Sequence, residues 1–205
     1  VRPPAAAALG RMADPAAIAP LLTALGDERP EVREAVADAL AAFGDRTLQP
    51  LVRQLTVPSE NVRQAAIRAL ARKGARAVPA LIVQLDSSSA TARAEAADAL
   101  AAIGAPAVRA LIGVMFSEGT RGQDKERVDA RLEAAARALT KIGRPIVPAL
   151  VPVVASGDPA QRRAVIAILQ AIGADAVPAL GDVLVDERNA HSAEAASLLG
   201  ELVDE

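Results

Sequence analysis

VREAVADALAAFG, from Val32 to Gly44, returns as VRQAAIRALARKG from Val62 to Gly74, as ARAEAADALAAIG from Ala92 to Gly104 and as RLEAAARALTKIG from Arg131 to Gly143. The closing positions form a register of Ala13, Gly44, Gly74, Gly104, Gly143, Gly173 and Val203. Its step of roughly thirty residues is that of a solenoid, in which one supersecondary unit cannot bury its apolar face alone and stacks on copies of itself. In the first stretch Val32, Ala35, Val36, Ala39, Leu40 and Phe43 fall three and four residues apart, which makes an apolar stripe on a helix. Val62, Ala65, Ala66, Ala69 and Leu70 repeat it. Each closing glycine is expected to turn the chain through positive φ; Ala13 and Val203 break that rule at the outermost copies.

Working outward, a shorter helix is expected after each closing residue, as in TLQPLVRQL, ARAVPALIVQL and DAVPALGDVL. Pro20, Pro50, Pro79, Pro148 and Pro178 recur near its start, where an N–H has no helical partner to lose. Pro152 lies further in and is expected to kink or shorten its helix. Second helices are expected to open at Pro30, at Ser59 and Ser89 as capping residues, and at Asp158-Pro159. The leucines at Leu40, Leu70, Leu100, Leu139, Leu169 and Leu199, with Leu51, Leu81, Leu111, Leu150 and Leu180, are the expected core.

The pattern V-R-x-x-A-A-x-A-L-x-x-I-G followed by A-V-P-A-L resembles the HEAT repeat, in particular the short type of phycobilisome-lyase-like proteins. The resemblance covers essentially the whole chain. It implies an all-α fold, a right-handed α-solenoid of about six helix-turn-helix repeats forming a HEAT/armadillo-like superhelix, as one domain over residues 1–205. It also implies a concave side lined by second helices and a non-catalytic protein-interaction scaffold or adaptor, with a phycobilin-lyase-like or other chromophore-handling protein as the alternative.

Composition narrows the partners. The 205 residues carry 23 basic and 25 acidic side chains for a net charge of −2, and 52% are hydrophobic, with no Trp or Tyr and with Phe only at Phe43 and Phe116. Such a balance gives no global attraction to nucleic acid or an anionic membrane. No cysteine is present, which removes a disulfide framework, a thiolate nucleophile and a cysteine metal cage. The longest candidate apolar stretch, VPALVPVVA, is short of the ~20 residues of a membrane helix, so a cytoplasmic protein is expected. No cofactor and no metal are expected. His191 with Glu194 makes an H-x-x-E pair, short of the three protein ligands of a catalytic zinc. No cysteine nucleophile or complete Ser/His/Asp set is present. The His-Glu dipeptides of deoxyhypusine hydroxylases and the basic, aromatic face of alkylated-base glycosylases, both of similar fold, are missing as well.

Positions opposite the apolar stripe of the second helix are the expected recognition surface, a partner-binding set of Glu34, Asp38, Gln64, Arg68, Asp98, Glu133 and Arg137. The column Asp38, Arg68, Asp98, Arg137 alternates in sign, which reads either as an inter-repeat ion ladder or as a polar groove for a mixed-charge partner segment. A second column, Arg33, Arg63, Arg93 and Arg162, borders the stripe; its stems are expected along the core and its heads at acidic turns such as Asp27 and Asp86.

One interval, Gly104 to Gly143, is longer than the others. Its extra segment 117–125, SEGTRGQDK, is expected to form a loop with a helix following from near Asp124, with Phe116 beneath it. Extra residues in a solenoid map to a loop at one edge that often carries binding, so Arg121 and Lys125 join the candidate contacts. The partner is expected to be another protein or peptide segment. Because the opening helix begins partway through its repeat, the chain is expected to be a piece of a larger protein or to associate end to end with itself.

Overall fold

The computed structural model describes residues 3–116, 125–154, 159–185 and 191–203. The fold is an all-α solenoid of helix-turn-helix repeats, with no strand among the described residues. In chain order the α-helices are α1 (Pro3–Met12), α2 (Ile18–Ala24), α3 (Pro30–Ala42), α4 (Leu48–Gln54), α5 (Glu60–Lys73), α6 (Val78–Gln84), α7 (Ala90–Ile103), α8 (Ala105–Phe116), α9 (Lys125–Ile142), α10 (Val147–Val154), α11 (Pro159–Ile172), α12 (Ala176–Val185) and α13 (Ser192–Val203). They fall into two compact units, Val1–Ala107 and Val108–Glu205.

In the first unit the second helices stack in sequence order, α3 against α1, α5 against α3 and α7 against α5, and each of α3, α5 and α7 packs on its own first helix, α2, α4 or α6. In the second unit α11 packs against both α9 and α13, while α10 and α12 pair with α11 and α13. Leu40, Leu70, Leu100, Leu139 and Leu169, and Leu51, Leu81, Leu111, Leu150 and Leu180, are fully buried, each stabilising the fold by about 1.5–3 kcal/mol on leaving water. At the last repeat Leu198 is buried and Leu199 only half-buried. The earlier repeats carry Ala39, Ala69, Ala99, Ala138 and Ile168 at the place of Leu198, all of them buried.

Burial of the second helices is wider than one stripe. Ala37, Ile67 and Ala97 are buried, whereas Ala35 is half-exposed, because a second helix inside the stack meets a neighbour on each side as well as its own first helix. Leu25, Leu55 and Leu85, just past the ends of α2, α4 and α6, form a further buried column.

The repeated prolines all lie within the first three residues of their helices. Short 3-10 turns precede most of these helices, at Pro15–Ala17, Gly44–Thr47, Gly74–Arg76, Arg144–Ile146 and Gly173–Asp175. α10 runs through Pro152 and, at 8 residues, is longer than α2, α4 and α6 with 7 but shorter than α12 with 10 and α8 with 12; Val151 and Val154 in its far turn are buried. Ser89 Oγ accepts from the Ala92 amide at 3.2 Å, but Ser59 makes no side-chain cap, and Asp158 lies outside the described residues.

Gly44, Gly74, Gly104, Gly143 and Gly173 have φ of 57° to 73°, and Ala13 closes its copy in the same way with φ 52°. Its amide donates to Leu9 O at 3.1 Å, as that of Gly104 does to Leu100 O. A left-handed alanine costs about 1–2 kcal/mol, partly offset by the greater freedom a glycine loses on folding, about 0.5–1 kcal/mol. Ala13→Gly is therefore expected to stabilise the fold by about 0.5–1 kcal/mol in urea denaturation. An unchanged or lower midpoint would refute the strain at Ala13.

The run Gln161–Val185 is long and apolar enough to cross a membrane by length and composition alone, which corrects the expectation that no such run exists. The chain breaks it at Gly173 into α11 of 14 residues and α12 of 10, each short of the ~20 residues needed to span.

Candidate functional site

The alternating charges of the first unit form a ladder between α3 and α5, but not between the partners that the columns suggest. Arg68 Nε lies 3.1 Å from Glu34 Oε2, and Arg72 pairs with Glu34 and, through Nε at 2.5 Å, with Asp38. Arg68 against Glu34 and Arg72 against Asp38 thus each sit one turn further along α5 than the register counterpart of the acid, and Arg72 against Glu34 two turns. The reason is the backward tilt of helical side chains, which carries a long arginine over the turn before its own. Arg72, absent from the sequence-derived set, was legible only by allowing for that tilt. Gln64 Nε2 donates to Glu60 Oε1 at 2.9 Å, along its own helix. Asp98 is half-buried on α7. Exposed pairs of this kind contribute about 0–1 kcal/mol each, so the ladder is a minor contributor to stability.

In the first unit the arginine column beside the stripe braces the turn between the two helices of three repeats. Arg33 Nη1 donates to Asp27 O and Glu28 O, both at 2.8 Å; Arg63 Nη1 donates to Val57 O and Pro58 O at 2.9 and 2.8 Å; Arg93 Nη1 donates to Ser87 O and Ser88 O at 2.7 and 3.2 Å. The acceptors are backbone carbonyls of the inter-helix turn rather than the carboxylates of Asp27 and Asp86. Arg63 Nε also reaches Glu95 on α7 at 2.8 Å, which raises the Arg63 pKa. In the second unit Arg162 ties α11 to α13 through Glu201 Oε1 at 3.0 Å and Ser197 Oγ at 2.7 Å. Arg63→Ala is expected to cost about 1.5–3 kcal/mol, the range for hydrogen bonds to a charged group. Arg63→Lys should recover less than half of it, because an ammonium lacks the planar fork; full recovery in thermal melts would contradict the brace.

Further contacts fix the turns. Asp27 accepts from the Arg29 side chain at 2.9 Å and from its amide at 3.0 Å, and these bonds lower its pKa to about 2. Lys73 Nζ donates to Ala41 O at 3.2 Å and to Gly44 O, joining α5 to the turn after α3; burial lowers its pKa. Thr47, buried among apolar side chains, donates to Leu40 O at 2.8 Å.

Glu133 and Arg137 are exposed on α9, and the structure places both on the rim of a cavity of about 470 Å³ within the second unit. Its floor and walls come from Met115 on α8, Leu132 and Ala136 on α9, and Ala164, Ala167, Ile168 and Ala171 on α11, with Thr140 at one end. Two departures from the repeat, Leu132 and Ala167, fall in its lining, beside an alanine, Ala171, that matches Ala42 and Ala102. Leu132 stands where other copies carry Arg33, Arg63, Arg93 and Arg162, and Ala167 and Ala171 stand where α5 carries Arg68 and Arg72. Ala167 continues the column of Asp38, Arg68, Asp98 and Arg137, and the lapse of charge there is the sequence signal for the cavity.

Lys125 is exposed as the first residue of α9, close to the expected helix start. Arg121 and the rest of 117–124 lie outside the described residues, and so does any packing of Phe116 beneath them. His191 Nδ1 is 3.9 Å from Glu194 Oε2. Among the described residues no group of three or more His, Cys, Asp or Glu side chains is placed to hold a metal ion.

A stack of helix pairs closed by positive-φ residues and braced by register arginines is a helical-repeat scaffold, and comparison with known families agrees. The family model for HEAT repeats matches residues 1–59 and 48–119, more than half of the chain: the protein belongs to the HEAT-repeat family. The family match does not extend to the phycobilisome-lyase-like type. No curated protein matches the sequence. Among solved structures, the crystal structure of an engineered protein from the Northeast Structural Genomics Consortium is 23% identical over 98% of this chain and 90% of its own, with a TM-score of 0.31.

Proposed function

We propose that this chain is a non-catalytic protein-interaction scaffold whose second helices present the recognition face. HEAT repeats commonly serve as protein-interaction scaffolds, and the observation that carries the reading here is the apolar cavity between α9 and α11, rimmed by Glu133 and Arg137. Two residues chosen for their place opposite the apolar stripe thus border an accessible apolar surface, the pairing of an apolar centre with a polar rim by which proteins recognise one another. Glu34, Asp38, Gln64, Arg68 and Asp98 are the recognition residues of the first unit, where charge fixes register and rejects wrong partners more than it adds affinity. Arg121 and Lys125 supply a second contact at the insertion.

The test is capture of a partner from the source cell followed by charge reversal. Asp38→Lys with Arg68→Glu should release the partner with the fold intact by circular dichroism. Deleting 117–125 should weaken capture. Retention by both variants would refute the reading, and so would no specific partner captured by the unaltered chain.

A further inference from the structure

The chain has no cysteine, so its only sulfur atoms are those of Met12 and Met115. They stand in different settings. Met12, at the end of α1, is 71% exposed. Met115, near the end of α8, is half-buried in the wall of the cavity of about 470 Å³.

The register makes Met115 a departure. It stands as far past Gly104 as Leu55 and Leu85 stand past Gly44 and Gly74, and both of those leucines are fully buried. The copy that ends in α8 thus carries a thioether in place of a branched hydrocarbon, and the cavity leaves it partly open. A thioether is apolar and adaptable enough to sit in such a gap. Among the lining side chains it is also the one that takes up an oxygen atom from a peroxide.

Oxidation reverses its character. A sulfoxide is polar and chiral, while Leu132, Ala136, Ala164, Ala167, Ile168 and Ala171 around the cavity offer no side-chain donor. Open to water, the new S=O group hydrates the cavity. Covered by an apolar group, it loses those hydrogen bonds and its desolvation opposes the contact.

We propose that Met115 is a reversible oxidation site that switches the cavity between an apolar form and a polar form that rejects apolar groups. The oxidant is hydrogen peroxide. A sulfur lone pair attacks one peroxide oxygen, and the O–O bond breaks as the S–O bond forms. The proton of the transferred oxygen passes to the departing hydroxide, which leaves as water. Sulfur loses two electrons and the peroxide gains them. The oxidation rests on the cavity alone, and its effect on a protein partner rests on the scaffold reading.

The experiment treats the full chain carrying Met12→Leu, in which Met115 is the one remaining sulfur, with dilute hydrogen peroxide and follows the added oxygen by peptide mass spectrometry. For comparison, Leu85→Met together with Met12→Leu and Met115→Leu sets a sulfur at the buried place of the same column, a swap that nearly conserves volume. Met115 should take up oxygen roughly tenfold faster than that buried sulfur, because oxidation follows exposure. Binding of anilinonaphthalene sulfonate should fall roughly fivefold on oxidation, with the helical circular dichroism unchanged, and return after treatment with methionine sulfoxide reductases. The chain with both methionines replaced by leucine should show no response to peroxide. Equal oxidation of the two sulfurs, dye binding unmoved by oxidation of Met115, no dye binding before oxidation, loss of helix on oxidation or the same response without Met115 would each overturn the inference. These readouts need no partner, so a failure of partner capture removes the scaffold reading and leaves the oxidation site standing.

Discussion

Leu70→Asp is expected to destabilise the first unit by more than about 4 kcal/mol, the range reached only by severe core or buried-charge lesions. Leu70 is fully buried on α5, and truncating such a leucine to alanine already costs about 2–5 kcal/mol through lost transfer energy and the cavity left behind. An aspartate adds a carboxylate with no partner in an aliphatic interior, which burial penalises further. α5 packs against α3, α4 and α7, so the damage should spread to all three. Amide hydrogen exchange should show protection lost throughout α3–α7 and not in α5 alone. Protection and urea midpoint matching the wild type would show that Leu70 is not a core residue.

The second large effect is expected at a turn. Gly104 has φ 73° and ψ −135°, a region that L-residues with a side chain rarely occupy. A Cβ built there meets nothing within 4 Å, so a substitution is opposed by backbone strain and not by crowding. Gly104→Val should therefore cost about 2–3 kcal/mol, at the upper end for strained backbone positions, because a β-branched side chain is the least tolerant of positive φ. Gly104→Ala should cost less, and a valine variant as stable as the wild type would contradict the turn geometry. Ala13→Gly provides the opposite sign at the same kind of position.

Much of the fold was legible because the signals are periodic. The closing glycines, the leucine columns and the early prolines each recur at the register step, and each has a local physical cause that requires no knowledge of neighbours. What escaped was set by the relation between helices. The offset pairing of Arg68 with Glu34 and of Arg72 with Asp38 depends on how far a long side chain reaches back along its helix, which a column of aligned letters does not contain. Arg33 and Arg93 reach the turns at Asp27 and Asp86 as the sequence suggests, and Arg63 the turn at Val57 and Pro58; what the letters do not give is the acceptor, a turn carbonyl, because the backbone acceptors left over between two helices need partners.

The candidate site was legible in part for a related reason. Glu133 and Arg137 follow from their place opposite the apolar stripe, whereas the groove beside them follows from what is missing: arginine gives way to Leu132 on α9, and on α11 Ala167 stands in a column that is charged in the four copies before it. A lapse in a column carries information only once the structure shows which side chain the lost one would have met. Arg121, on the insertion, rests on sequence alone.

Site-specific photocrosslinking in the source cell tests the central claim, that the second helices present the recognition face, most directly. Benzoylphenylalanine at Asp38 or Arg137, both exposed on second helices, should each crosslink to a protein partner, while the same group at Val83, 67% exposed on first helix α6, should not. Crosslinks from Val83 together with none from Asp38 or Arg137 would contradict it.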